Sequence, residues 1–491
     1  MRIPSTLTGL VVAPDDPAYH LARTNYNSRF APFSPSYIVY PKTSDDVGRA
    51  LMWARRYRIP FRARSGGHSY EAYSLLNGGL VIDLSLINHI YQSQTTGFWH
   101  IGAGARLLNV YQTLWDKANV TIPGGSCPSV GLSGLTLGGG YGLIARQHGL
   151  CIDALVAVTM VDAQGRTLVS SLDQHADLFW ALRGAGANNF GVVTELVFCA
   201  VPVGLVTIFS ITWPWSHLAA VIQAFQCWAD PSGLDHRITS ILTLPARSHG
   251  YIRLVGQFLG TPAQLQPMLR PLLEIPDHSE IVQVKSYIEA VRHFAGLGSD
   301  PECWLAQGVP NHDTFKNTSA YAHHMLPGSA IAAIAQALND TPGPASLVQL
   351  GQMGGRIGEI RPEDTAFYHR RARFDLQYQA YWTDPTQAES HIRWVEDFRQ
   401  RMSPWTVGAY VNYCDARIED WPRAYYGKNL DRLMHVKRRW DPRLVFRYPQ
   451  GLSQIMAPGC HLEDASSFWT DALPTAWPTE VKSQWTMGPW L

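Results

Sequence analysis

Arg62-Ala63-Arg64-Ser65-Gly66-Gly67-His68-Ser69-Tyr70 closes a strand-like run, Ile59 to Arg64, with a turn built on two consecutive glycines. Successive glycines let backbone N–H groups come close to a phosphate, and a strand end presents them in a fixed direction. Arg62 and Arg64 stand ready to add charge, and His68 sits where a ligand cradled by the turn would meet an imidazole. Taken alone, the stretch also reads as a common glycine turn with an incidental histidine.

The flanks decide between an isolated turn and a fold. Tyr37-Ile38-Val39-Tyr40 is a short β-branched and aromatic run stopped by Pro41. Ser44 then offers an N-cap, Asp45 and Asp46 suit the first turn, and Val47, Ala50, Leu51 and Ala54 follow on one helical face. Leu80 to Leu84 is another strand. Leu107, Tyr111, Leu114 and Trp115 mark a second amphipathic helix, and Ala154–Val161 and Gly191–Phe198 are further strands. Strand and helix alternating in this way predict a mixed α/β unit over the first two hundred residues. From about residue 206 the texture changes: strand-like runs such as Val206–Phe209 and Ile252–Val255 alternate with helices such as Leu218–Trp228. A second, α+β unit is expected there. The organisation read from these changes is 1–205, 206–405, a returning segment 406–460 and a tail 461–491.

Two further segments carry chemistry. Glycine crowds the stretch from Pro123 to Gly142, Pro-Gly-Gly-Ser-Cys-Pro-Ser-Val-Gly-Leu-Ser-Gly-Leu-Thr-Leu-Gly-Gly-Gly-Tyr-Gly. Such density is costly in chain entropy and implies backbone packed against something planar or anionic. It fits neither the dinucleotide fingerprint, the phosphate-binding P-loop nor the hydrolase nucleophile elbow, so a nucleotide here needs a different cradle. Cys127 within it also reads as an inert buried thiol. The third segment is Tyr410-Val411-Asn412-Tyr413-Cys414-Asp415, followed by Trp421 to Leu430. As a strand, it would point Tyr410 and Asn412 to one face and Val411 and Tyr413 to the other. Late-strand aromatic packing is the plainer reading.

Composition narrows the partners. A chain of 491 residues with 46% hydrophobic and 16% charged residues can bury a large core in two units. A formal net charge of +1 gives no electrostatic reason to expect nucleic acid or an anionic membrane. The seven cysteines are scattered with no Cys-x-x-Cys pair, so neither a metal site nor a disulfide framework is expected. The apolar patch Leu10–Ala13 is too short for a signal-peptide core, and a soluble, cytoplasmic monomer is the expectation, with export by another route left open.

Together the three segments resemble the berberine-bridge-enzyme-like branch of the FAD-linked oxidases in the vanillyl-alcohol oxidase superfamily. The resemblance rests on Arg-Ser-Gly-Gly-His-Ser at 64–69, Gly-Gly-x-Cys at 124–127, Tyr-x-Asn-Tyr at 410–413 and Tyr-Tyr-Gly-x-Asn at 425–429. It implies an α+β fold: a two-part FAD-binding domain plus a substrate domain with an antiparallel sheet covered by helices. It also implies FAD bonded to His68 through the flavin 8-methyl group and to Cys127 through the ring's 6 position. Arg64, Ser65, Gly66, Gly67 and Ser69 would surround the first attachment. Gly125, Ser126, Val130, Gly131, Gly138, Gly139 and Gly142 would surround the second, with Val192, Asn412 and Asn429 completing the cofactor site. The chain departs from the family near its end, with Leu444 where an asparagine is usual and Gln450-Gly451-Leu452 in place of Gln-Ser-Ile.

The resemblance also implies an activity. An alcohol carbon gives up a hydride only if its O–H proton leaves too, so a base is needed within hydrogen-bond reach. By resemblance that base is Tyr413, with a pKa that must be depressed from roughly 10. Tyr70 and Tyr410 are the candidate donors to its phenolate. Gln377, sharing a strand face with Asp375 and Gln379, is a candidate substrate contact. Double attachment allows an open site, so an oligosaccharide or similar bulky lactol or alcohol is the expected substrate. A valine at 130, beside the edge of the flavin that meets oxygen, makes molecular oxygen the expected acceptor and hydrogen peroxide the product. Tailoring of a polyketide, alkaloid or glycosylated natural product is the competing activity. A silent flavin-fold binding protein is the competing class.

Overall fold

Thr43, one residue before the expected cap, starts the first long helix, Ser44–Arg56. Its hydroxyl accepts from the Asp46 N–H while the Asp46 carboxylate accepts from the Thr43 N–H, a reciprocal capping box that Ser44 could not close with the same acid. Val47, Ala50, Leu51 and Ala54 face the core, as their spacing requires. The computed structural model describes residues 9–30, 33–297 and 314–456; the expected tail, 461–491, lies outside them.

The capped helix covers a four-stranded sheet ordered Leu10–Val12, Tyr37–Tyr40, Leu80–Asp83, Phe61–Arg64. The last three strands are parallel, so Phe61–Arg64 delivers the glycine turn at its C-terminal end, where ligands collect in open α/β sheets. A second sheet of five antiparallel strands runs Ile90–Gln92, Trp99–Gly102, Val192–Phe198, Leu155–Val161, Thr167–Ser171. The helix Leu107–Ala118, ended by Asn119 in the left-handed region, leads from this sheet towards Cys127.

The third sheet has seven antiparallel strands, drawn from Leu205–Pro214 through Phe374–Trp382. Its order is Ser279–Ser286, Leu205–Pro214, Tyr251–Phe258, Ile238–Pro245, Ser346–Gln352, Phe374–Trp382, Thr314–Ala322. Helices Leu218–Trp228, Gly328–Asn339 and Ala388–Met402 cover one face. Along Phe374–Trp382, Leu376, Tyr378 and Ala380 enter that helix-covered core. Period two therefore turns Asp375, Gln377 and Gln379 to the opposite face, as the sequence pattern requires.

Residues from Ala409 to Leu452 contribute to the same core as the two N-terminal sheets. The α+β architecture expected from the motifs is the one observed. Among the described residues no helix is long and apolar enough to cross a membrane, and no group of ligating side chains is arranged to hold a metal ion.

Candidate active site

The two glycine turns touch through backbone. A Cβ added to Gly66 would lie 2.2 Å from the Gly131 nitrogen, and one added to Gly131 would lie 2.2 Å from the Gly66 nitrogen. Only glycine at both positions lets the turns close on each other. That contact brings His68 and Cys127 together. Ser129 Oγ lies 2.9 Å from His68 Nε2 and 4.0 Å from Cys127 Sγ, so the two are no farther apart than the sum of those distances. The His68 ring stacks on Tyr26 at 4.0 Å. Burial, aided by the nearby Arg106 charge, pushes the His68 pKa down to about 3, so its imidazole is neutral.

Both side chains line a cavity of about 1650 Å³ between the glycine turns and the seven-stranded sheet. Ligand pockets for one small molecule run to roughly 300–1,000 Å³, so this space fits a dinucleotide with a second molecule beside it. Arg64, Ser65, Gly66, Gly67 and Ser69 line it, as do Ser126, Val130, Gly131, Val192 and Asn412. Gly125 and Gly142 line a smaller chamber of about 180 Å³ beside it. A backbone cradle, a neutral imidazole and a thiol on one wall fit FAD.

Three tyrosines gather opposite. The Tyr70 and Tyr413 rings stack at 5.6 Å with an interplanar angle of 4°, and Tyr410 meets Tyr413 edge-on at 4.9 Å. Tyr70 OH accepts from Gln377 Nε2 at 3.0 Å. Tyr410 OH accepts two bonds, from Gly140 N at 2.8 Å and Asn412 Nδ2 at 2.9 Å. The Tyr413 hydroxyl, which lines the cavity, forms no hydrogen bond with the described residues. The expected depression of its pKa is overturned: burial, then the fields of Tyr70 and Asp375, hold it well above 10. Neither expected donor serves it: Tyr70 and Tyr410 meet Tyr413 through their rings, and no hydrogen bond joins them to its hydroxyl among the described residues.

Asp375 is the functional candidate that sequence reasoning undervalued. It lines the smaller chamber with all three tyrosines, is 6% exposed, and its Oδ1 has no hydrogen-bond partner among the described residues. Burial pushes its carboxyl up to about 8. A carboxyl raised in the folded state favours folding while it holds its proton, and that contribution is lost as pH rises from about 4 through about 8. Asp375→Asn is therefore expected to match the parent's urea midpoint near pH 4 and to exceed it near pH 9. A lower midpoint near pH 9 would contradict an unpartnered acid.

Beyond the tyrosines the sheet face is a ladder of amides and hydroxyls. Tyr381 OH donates to Gln379 Oε1 at 2.9 Å, Gln379 Nε2 to Gln349 Oε1 at 2.7 Å, and Gln349 Nε2 to Thr243 Oγ1 at 3.2 Å. Asn317 Oδ1, on the same wall, is buried without a partner among the described residues.

Some expected positions differ. Tyr410–Tyr413 is not a strand: Val411–Tyr413 forms one 3₁₀ turn, which lets Asn412 reach Leu135 O at 2.9 Å as well as Tyr410. Arg64 lines the cavity, but its guanidinium is tied to Asp83, Ala22 O and Thr24 O, leaving it neutralised rather than free for a phosphate. Gly138 and Gly139 do not line the cavity; they make room for Asn412 and Phe367. Asn429 is also elsewhere, donating to Pro362 O and Thr365 O to hold the loop before Phe367.

Residues 35–171 match the FAD binding domain family, and residues 409–453 match the berberine and berberine-like family. An uncharacterised FAD-linked oxidoreductase, YgaK of Bacillus subtilis, is 41% identical over 91% of this chain and 98% of its own length. The chain belongs to the berberine-bridge-enzyme-like family. Like other members of that family of FAD-linked oxidases, it is an FAD-dependent oxidoreductase. The berberine-bridge-enzyme-like relatives include the chitooligosaccharide oxidase of Gibberella zeae, 32% identical over 87% of this chain and 89% of that protein. Among solved structures, the glucooligosaccharide oxidase of Acremonium strictum superposes with a TM-score of 0.82 at 25% identity, covering 90% of this chain and 97% of that one. Its FAD is described as 6-S-cysteinyl and 8α-N1-histidyl.

Proposed function

We propose that this enzyme carries FAD bonded to both His68 and Cys127 and oxidises the lactol or a secondary alcohol of an oligosaccharide, with oxygen as acceptor and hydrogen peroxide as product. The observation that carries the sugar reading is the amide ladder of Gln349, Gln377, Gln379 and Tyr381 beside the unpartnered Tyr413 hydroxyl. A wall of alternating donors and acceptors suits a polyol, which can take up the hydrogen-bond capacity these amides have left over, whereas an apolar polyketide would strip it of water without replacing it. The named activities of the Gibberella and Acremonium relatives support the same substrate class.

When bound, FAD supplies the acceptor for the hydride and returns the electron pair to dioxygen. His68 and Cys127 hold it from one side, so the other side of the cavity stays open to a bulky sugar. Tyr413 receives the substrate's O–H proton. Burial, then the fields of Tyr70 and Asp375, oppose a standing phenolate, so the Tyr413 proton must leave as the new one arrives; Asp375, on the same chamber, takes it only where its carboxyl is ionised, above about pH 8, and sugar oxidation is expected to rise through that pH. Gln377 orients the pair through Tyr70. Val130, half-buried on the cavity wall, leaves room for oxygen.

The test is oxygen uptake and peroxide release with a panel of cello-, chito-, xylo- and malto-oligosaccharides. Peroxide in proportion to sugar oxidised is expected. Fast dye reduction without oxygen uptake would overturn the oxidase assignment, and inertness towards every sugar would overturn the substrate class.

A further inference from the structure

Ser129 belongs to no motif, yet its hydroxyl is the group that both attachment atoms share. It lies 2.9 Å from His68 Nε2 and 4.0 Å from Cys127 Sγ. Its own backbone is fixed: Arg106 Nη1 donates to Ser129 O at 2.6 Å, and Leu107 N and Leu108 N donate to Val130 O and Pro128 O on either side. Tyr26 stacks on the imidazole at 4.0 Å and holds its plane. We infer that Ser129 is a positioning residue for flavin attachment, its hydroxyl accepting the His68 Nε2–H and donating to the Cys127 sulfur.

The chemistry of attachment requires such a group. A neutral imidazole has one proton and one lone pair, and the ring nitrogen that meets the flavin must carry the lone pair. An acceptor at Nε2 places the proton there and leaves Nδ1 nucleophilic, as a carboxylate or carbonyl acceptor does for a metal-bound histidine. Burial keeps the ring neutral, so the choice of tautomer is the only freedom left. Forming the bond exchanges a C–H bond of the 8-methyl group for a C–N bond. Nδ1 brings the electron pair, the methyl proton leaves, the two electrons of the broken bond stay on the flavin, and dioxygen removes them as hydrogen peroxide. The positive charge that reaches the imidazole is relieved as Nε2–H releases its proton along the Ser129 hydrogen bond. At Cys127 the ring C–H is replaced by C–S with the same electron balance, and the Ser129 O–H favours the thiolate that attacks.

This inference rests on the doubly attached FAD proposed above, and its test separates the two. Ser129→Thr and Ser129→Val have nearly the same shape and differ in the hydroxyl. Protein produced under riboflavin limitation is incubated with FAD in air, and attachment is followed over time by peptide mapping at His68 and at Cys127. The parent and Ser129→Thr are expected to attach at His68 at similar rates, and Ser129→Val at least about tenfold more slowly, with a smaller loss at Cys127. Equal His68 rates for the Thr and Val variants would overturn the role of Ser129. No FAD on the parent's His68 peptide would overturn the reading beneath it.

Discussion

Replacing Tyr413 by Phe is expected to leave FAD attached and the fold intact, while slowing reduction of the flavin by substrate roughly 10²–10⁴-fold. The ring packing survives, because the contacts with Tyr70 and Tyr410 are made by ring faces and edges. What is lost is one hydroxyl on the cavity wall that has no hydrogen-bond partner among the described residues. A phenol hydroxyl that faces the cavity and makes no hydrogen bond with the described residues is free to pair with a ligand, and the O–H of an alcohol substrate is such a ligand. Anaerobic stopped-flow measurement separates this step from reoxidation. An unchanged rate of flavin reduction would remove Tyr413 from proton transfer and leave Asp375 as the remaining base on this wall.

Lys316→Met is expected to destabilise the fold by about 3–5 kcal/mol, the cost of stranding a buried charge. Lys316 stands on the sheet's edge strand, Thr314–Ala322, with its Nζ 3.2 Å from Glu71 Oε1 and in direct contact with Asp415 Oδ1. All three side chains are 2% exposed. Arg29 completes the group, 2.8 Å from Glu71 Oε2, so two cations balance two carboxylates. Burial works against the Asp415 carboxylate, but the Lys316 ammonium outweighs it and holds the pKa below the ordinary value. Glu71 follows Tyr70 and Asp415 lies two residues past Tyr413, so one lysine fastens both tyrosine-bearing loops to the substrate sheet. With Lys316 gone, a carboxyl can shed its charge only by taking a proton, so the deficit should shrink as pH falls. Urea midpoints at two pH values, with Lys316→Met/Asp415→Asn as a partial rescue, check this. A midpoint equal to the parent's would show that the cluster is not holding the loops.

The residues of the FAD-binding wall were more legible in the sequence than those of the reaction site. His68 and Cys127 lie in glycine turns whose density has no meaning for an ordinary loop, and the close approach of Gly66 and Gly131 explains it. Period two along Phe374–Trp382 put Asp375, Gln377 and Gln379 on one face, and they are there. What no local pattern reveals is who meets whom. Arg64 looked free because Asp83, on the neighbouring strand, is nineteen residues away. Tyr410–Tyr413 read as a strand because its residues favour one, but Asn412 gains two hydrogen bonds by turning. The pKa of Tyr413 depends on which oxygen the Asn412 and Gly140 donors choose, and they choose Tyr410.

The chemistry proposed for this enzyme depends on His68 and Cys127 sharing one flavin. Protease digestion of the parent enzyme followed by mass spectrometry tests this directly. The expected result is a single species in which one FAD joins the peptide containing His68 to the peptide containing Cys127. His68→Ala and Cys127→Ala should each keep FAD on the remaining residue. Recovery of both parent peptides at their unmodified masses, with all FAD released on denaturation, would contradict it.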